Sequence, residues 1–378
     1  MTAVEKEQAV QAPPERRPGG GLRGRFGRLP WPARTATIVG CVVLAYGLPY
    51  VGYVPMIGPQ IVTQGIDWSS ALFSISYFVL LALGLNVVVG YAGLLDLGYV
   101  GFFAVGAYTV ALLTSPDSVL KTHWAWLAAV PVAIVIALLS GLLLGWPTLR
   151  LRGDYLAIVT LGFAEIIRIF AESKPELRGD RGFGGIPHPP GKNGDGTALF
   201  GVRDARPYFW LGLTIIILVI LAVRNLDRSR VGRSWLAIRE DEEAAAIMGV
   251  RTVKFKLWAF AIGACVGGLG GVMFAGYQGF MNSSTFQLQF SILVLAGVVM
   301  GGSGNIPGAI LGGALISYIP DRLRGISDPL LNTDLFQWRF LIFGVTIILI
   351  MILRPQGIVP SRRRAMELKD RAGEVAPQ

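Results

Sequence analysis

Apolar runs of bilayer-crossing length recur down most of the chain, separated by short polar or glycine-rich breaks. They fall at about residues 37–54, 70–89, 94–113, 124–145, 155–171, 208–223, 257–280, 288–300, 307–319 and 339–353. A helix of about 17–25 mostly apolar residues spans the hydrocarbon core. The runs therefore predict an all-α, polytopic integral membrane helix bundle of about ten transmembrane helices. Those at 288–300 and 307–319 are short and abut across the glycines at 301–304, so their boundaries are the least defined.

Composition agrees: 53% of residues are hydrophobic, 15% are charged, and mean hydropathy is +0.55. Soluble domains carry roughly a quarter charged residues. The 49 glycines suit packed membrane helices, where glycine is commoner than in soluble ones. Cys41 and Cys265 sit singly in apolar runs, and His123 and His188 lack neighbours at ligand spacing, so no metal site or disulfide framework is expected. The net charge of +10 does not point to nucleic acid, because the basic residues cluster beside apolar runs.

That clustering sets an orientation. With the N-terminus cytoplasmic, the loops holding Arg150 and Arg152, the stretch 224–254 and the tail with Arg362, Arg363 and Arg364 all fall inside. They carry the larger share of Lys and Arg, as the positive-inside rule requires. An even number of spans then places both termini in the cytoplasm. The expected organisation is a basic disordered tail at 1–35, a transmembrane domain at 36–358 and a second cytoplasmic tail at 359–378. The polar, arginine-rich start is too long for a signal-peptide n-region, so the first span reads as a retained anchor.

Two loops differ in kind. The outer loop 172–207 is rich in Gly and Pro (GGIPHPPGKNGDG) and reads as a surface loop. The inner segment GRSWLAIREDEEAAAIMGV (232–250) favours helix, with Trp235, Ile238, Ala245 and Met248 able to share one face opposite Arg239, Asp241 and Glu242. A short amphipathic helix at the membrane surface is expected. A fainter feature is an echo: VVVGYAG, ending at Gly93, resembles VVMGGSG, ending at Gly304. Transporters contain such repeated glycine-interrupted segments near their paths, although a seven-residue match is equally explained by composition.

Catalytic motifs are missing from the sequence. It contains no G-x-x-x-x-G-K-[ST], H-E-x-x-H or G-x-S-x-G, so neither ATP hydrolysis nor hydrolase chemistry is expected of this chain. Small residues recur every fourth position at Gly263, Gly267, Gly271, Ala275 and Gly279, and again at Gly304, Gly308 and Gly312. Such ridges let helix backbones approach closely, either as plain packing or as surfaces that slide. Charged groups inside spans are costly and mark partners or cavities. Glu165 and Arg168, at i,i+3, form either a structural ion pair or a polar lining of a pathway. Asn86 and Asp96 are the other pathway candidates, with Asp96 expected near the membrane interface at the start of the third span.

The stretches GYAGLLDLGYVGFFAVGAY (90–108), LRLRGDYLAIVTLGFAEIIRI (149–169) and GRSWLAIREDEEAAAIMGV (232–250), followed by VLAGVVMGGSGNIPGAILGGAL and LRPQGIVP, resemble the LivM-type permease subunits of branched-chain amino acid ATP-binding cassette importers. The likeness runs in order from about residue 36 to 360. It implies a multi-pass protein of the bacterial cytoplasmic (inner) membrane that works beside a homologous LivH-like permease. It also implies two P-loop ATPase subunits (LivG- and LivF-like) and an extracellular or periplasmic amino acid binding protein. ATP and Mg would then sit on the partner subunits and no cofactor on this chain. The resemblance assigns 232–250 to the loop that docks in an ATPase groove, so Trp235, Arg239, Glu240, Asp241, Glu242, Glu243, Ala246 and Met248 become coupling candidates. Permeases for urea or short-chain amides share much of the pattern and remain an alternative, as does an ion-coupled secondary amino acid transporter.

Overall fold

A computed structural model describes residues 31–52, 67–148, 151, 153–192, 198–201, 204–323, 327–328, 333–334, 338–353 and 357–359. Residues 1–30 and 360–378, which hold nearly all of the two expected tails, lie outside these. All ten apolar runs coincide with helices. In chain order the helices are α1 (Trp31–Val51), α2 (Trp68–Leu85, continued by a π-helical turn Asn86–Tyr91), α3 (Tyr99–Thr114), α4 (Trp126–Thr148), α5 (Asp154–Ser173) and α6 (Arg206–Arg228). They continue with α7 (Arg230–Glu240), α8 (Glu242–Ile247), α9 (Thr252–Gln278), α10 (Leu288–Gly301), α11 (Ile306–Leu323) and α12 (Arg339–Leu353). The only strands among the described residues are the two-residue pair Ser327–Asp328 and Thr333–Asp334. The chain is thus all-helical in class. Among the described residues, five helical segments are long and apolar enough to cross a membrane: 68–91, α4, α6, α9 and 283–301.

Of the described residues, 31–48 form one compact unit and those from Pro49 on another. In the second unit the centre is held by α2 and α9. About 78% of the 68–91 span and 67% of that of α9 are buried, against 28% for α4 and for α6. Sequence explains this placement. α9 carries the first small-residue ridge, and a methyl group added at Gly271 would meet the Phe103 carbonyl of α3, while one at Gly268 would press on Ala137 of α4 at 2.5 Å. With so little side chain on its surface, α9 packs tightly against α2, α3 and α4 together. Gly279 ends the ridge differently: it caps α9 in the left-handed conformation at φ +65°, where glycine has no steric cost. Aromatic rings fill the space between α2, α3, α9 and α10, with Phe103 stacked on Phe290 and Tyr77 edge-on to Phe274.

The second ridge needs correction. Only Gly308 and Gly312 lie on a helix, where they face Gly301 and Gly297 of α10; Gly304 precedes α11. The third apolar run also starts later than expected. Its helix begins at Tyr99, because the stretch from Gly93 leaves the helical path, which hydropathy alone does not reveal.

The loop after α5 is stitched down. Phe183 and Met281 exchange backbone hydrogen bonds of 2.8 and 3.0 Å, and the Ser115 hydroxyl donates to the Gly184 carbonyl at 2.6 Å. Asp117 pairs with Arg178 at 2.7 Å and accepts from the Gly184 N–H at 3.1 Å. His188 Nδ1 lies 2.6 Å from the Tyr208 hydroxyl and 2.9 Å from the Gly276 carbonyl.

Candidate functional site

Two interruptions of helix meet one surface segment. In the first, α2 widens into the π turn, where the Ala92 N–H donates five residues back to Val87. Such turns shift the ladder out of register and often occur at functional positions. Gly93, at φ +72°, then redirects the chain through the extended stretch to Gly98. Asp96 is fully buried: its Oδ1 accepts from the Gly98 N–H at 2.9 Å, closing a tight turn before α3. The Leu97 N–H donates to Thr160 Oγ1 of α5 at 3.0 Å, and Gly98 lies so close to the Thr160 carbonyl that a Cβ would collide with it.

The second interruption follows α10. Gly302 and Gly304 both have positive φ, at +118° and +79°. The last carbonyls of α10, which a helix end leaves without partners, accept from Ile358 and Val359 N–H groups at 2.9 and 3.0 Å. Asn86 joins the two interruptions, its buried Oδ1 accepting from the Gly304 N–H at 2.8 Å. The echo noticed in sequence therefore has a structural counterpart: Gly93 and Gly304 occupy the same place in the two heptapeptides and share the left-handed conformation.

The inner segment is two helices, not the single amphipathic one expected. α7 is capped by Ser229, whose Oγ accepts from the Val231 N–H at 3.1 Å. Asp241 is extended and starts α8 afresh, its Oδ1 accepting from Glu243 and Ala244 N–H groups at 2.8 and 3.0 Å. Breaking the helix there reorients the second half. Trp235, Ile238 and Ala245 are buried as expected, with Trp235 Nε1 donating to the Phe255 carbonyl at 2.7 Å. Met248, expected on the same face, is 83% exposed, and Ile247 is 85% exposed. Arg239, expected on the outward face, turns in, and its Nη1 donates to the Gly90 carbonyl at 2.5 Å. Glu242 also turns towards the bundle, pairing at 2.5 Å with Lys256, whose side chain is 4% exposed. Glu240, Asp241, Glu243 and Ala246 stay exposed.

Glu165 and Arg168 lie apart from this junction, on the open face of α5. Arg168 donates to Glu165 at 2.9 Å and to Glu172 at 2.9 Å, and the three side chains are 26–44% exposed. On the same helix, an apolar groove of about 460 Å³ runs between Val159, Phe163 and Ile166 and the α4 residues Leu143 and Pro147. Sequence reading found the pair but not Glu172, which it assigned to the loop. It also missed Thr160, Lys256 and Gly93, of which only Gly93 carried a signal, as the end of the echo. Among the described residues no group of three or more His, Cys, Asp or Glu could hold a metal ion.

Residues 68–351 match the family described as the branched-chain amino acid transport system permease component. The chain belongs to that family. It is 39% identical over 315 residues to the high-affinity branched-chain amino acid transport system permease protein LivM of Escherichia coli K12, covering 79% of this chain and 71% of that one. It is 24% identical to LivH of the same strain, covering 75% and 91%. An autoinducer 2 import permease, LsrC, of Escherichia coli O9:H4 is 28% identical over 59% of this chain and 63% of its own. The family places the helix interruptions and the inner segment in a multi-pass transport permease rather than an enzyme.

Proposed function

We propose that this chain is the permease subunit of an ATP-binding cassette importer that carries branched-chain or similar small hydrophobic amino acids across the bacterial inner membrane. It has about ten spans with both termini in the cytoplasm. A LivH-like permease completes the channel, two P-loop ATPases supply ATP and Mg chemistry, and an external binding protein delivers the amino acid. Access alternates as nucleotide and ligand shift the populations of inward and outward states. The open face of α5, with Glu165, Arg168 and Glu172 paired along it, borders the path.

The observation that carries this reading is the inner segment. Its inward face is locked to the bundle through Trp235, Arg239 and Glu242, while Ile247 and Met248 project with Glu240 and Glu243 around them. Exposed apolar anchors ringed by charge fit a partner's groove, and truncating such an anchor often costs about 2 kcal/mol or more of binding. Reconstituted with its partners, the complex should take up leucine, isoleucine and valine in an ATP-dependent way, with urea and acetamide failing to compete. Ala246→Arg, beside the anchors, should reduce co-purification of the ATPase subunits or uncouple hydrolysis from uptake. Wild-type coupling and assembly in that variant would remove the segment from the mechanism, and uptake driven by an ion gradient without ATP would overturn the whole assignment.

A further inference from the structure

Arg239 reaches both helix interruptions from outside them, whereas Asn86 joins them from within the π turn. Its Nη1 donates to the Gly90 carbonyl inside the π turn. Its Cγ lies 2.7 Å from where a Cβ on Gly93 would stand, and its Nη1 lies 2.9 Å from where a Cβ on Gly304 would stand. Gly93 and Gly304 are the matched last residues of the two heptapeptides, and each has a positive φ. The equivalent positions of the echo thus form one seat for Arg239, Gly93 against its Cβ and Cγ and Gly304 against its Nη1. Asn86 closes the same contact from the other side, bonding the Gly304 N–H, while Gly90 lies so near the Gly304 nitrogen that a Cβ would collide with it.

We propose that Arg239 is the positioning residue that transmits displacement of α7 to both interruptions at once, latching the π turn at 86–91 to the glycine turn at 302–304. It does not touch the transported molecule. The proposal rests on the reading of the inner segment as the ATPase-coupled element, and it names the contact through which that element acts. The chemistry fits the task. A guanidinium presents several donors in a fixed plane, so its tip holds the Gly90 carbonyl beside Gly304 while the aliphatic stem lies against Gly93. Left-handed glycines offer no Cβ to push it away. Because Arg239 is in the last turn of α7, directly before the break at Asp241, it moves with α7 and not independently of it.

The test uses the full complex reconstituted in lipid. Arg239→Ala should still co-purify with the ATPase subunits, because the exposed anchors are untouched, yet uptake per ATP hydrolysed should fall about tenfold, a typical size for lost coupling. Arg239→Lys should restore part of it, since an ammonium still reaches a carbonyl. Backbone hydrogen exchange is the decisive readout: amides of 90–98 and 302–305 should both speed up in Arg239→Ala, while those of α4 and α6 should not. Should Arg239→Ala fail to assemble, Gly304→Ala, which fills the seat and leaves the arginine in place, should uncouple in the same way. Combined with Arg239→Ala in an assembling background, it should add nothing further. Normal uptake per ATP in Arg239→Ala, or faster exchange at only one interruption, would overturn the latch. If Ala246→Arg uncouples while Arg239→Ala does not, the latch falls and the coupling segment stands. If Ala246→Arg also leaves coupling intact, the coupling reading itself fails.

Discussion

Arg168 shows how a single side chain departs from its sequence reading. The i,i+3 spacing to Glu165 was legible, because three residues make one helical turn. Glu172 was not, since the helix was expected to stop at 171 and in fact reaches Ser173. With two carboxylates on one guanidinium, the pair is unequal. Glu165→Gln removes one partially exposed contact and should cost about 0.5 kcal/mol or less. Arg168→Gln removes both contacts at once and should cost about 1 kcal/mol or less, because both carboxylates are more than a third exposed and solvent screens them. Melting temperatures of the purified variants and their uptake should fall in that order, and the reverse order would remove Arg168 from its central place. Asn86 and Asp96 teach a related lesson. Their polar character inside apolar runs was visible, but the partner of Asn86 is 218 residues away. No local pattern encodes a bond of that separation.

Among the elements, the helices were legible and their interruptions much less so. Each apolar run holds a helix, and five helical segments among the described residues are long and apolar enough to span, because burial in lipid or protein demands continuous backbone hydrogen bonding. The division of the inner segment at Asp241 had a readable cause, an Asp followed by two Glu, which is the signature of a helix start. The run of alanines after it masked that signal by extending the apparent helix. The outer loop supplies a prediction of its own. The hydrogen bond from Arg178, helped by the Gly184 N–H, holds the Asp117 carboxyl below its ordinary value. A depressed carboxylate stabilises the folded loop above the ordinary aspartate value of about 3.9 and loses that contribution as pH falls through its own lower value. Hydrogen exchange in residues 179–186 should therefore quicken as pH drops from 5 towards about 3 once the intrinsic pH dependence is divided out. Asp117→Asn should show the quicker exchange already at pH 5 and no further response. An unchanged acid response in that variant would move the effect to another group.

For the molecule entire, the charge distribution predicts a topology that labelling can test. Single cysteines at Asn193 and Ser361 should label from opposite faces of sealed vesicles, Asn193 from outside and Ser361 from inside; labelling from one face would end the even-span topology. The central position of α9 was foreshadowed by its small-residue ridge, whereas that of α2 was not, because its equally apolar surface looks no different from a lipid-facing one. Which helices meet across the bundle depends on long-range packing that hydropathy does not register. The seat shared by Gly93 and Gly304 carries a consequence for descent as well as for motion. Two stretches that touch one side chain cannot drift independently. In any lineage where either glycine acquires a side chain, the arginine at 239 should shrink or vanish with it, so the three positions should be inherited as a unit even though they stand far apart along the chain.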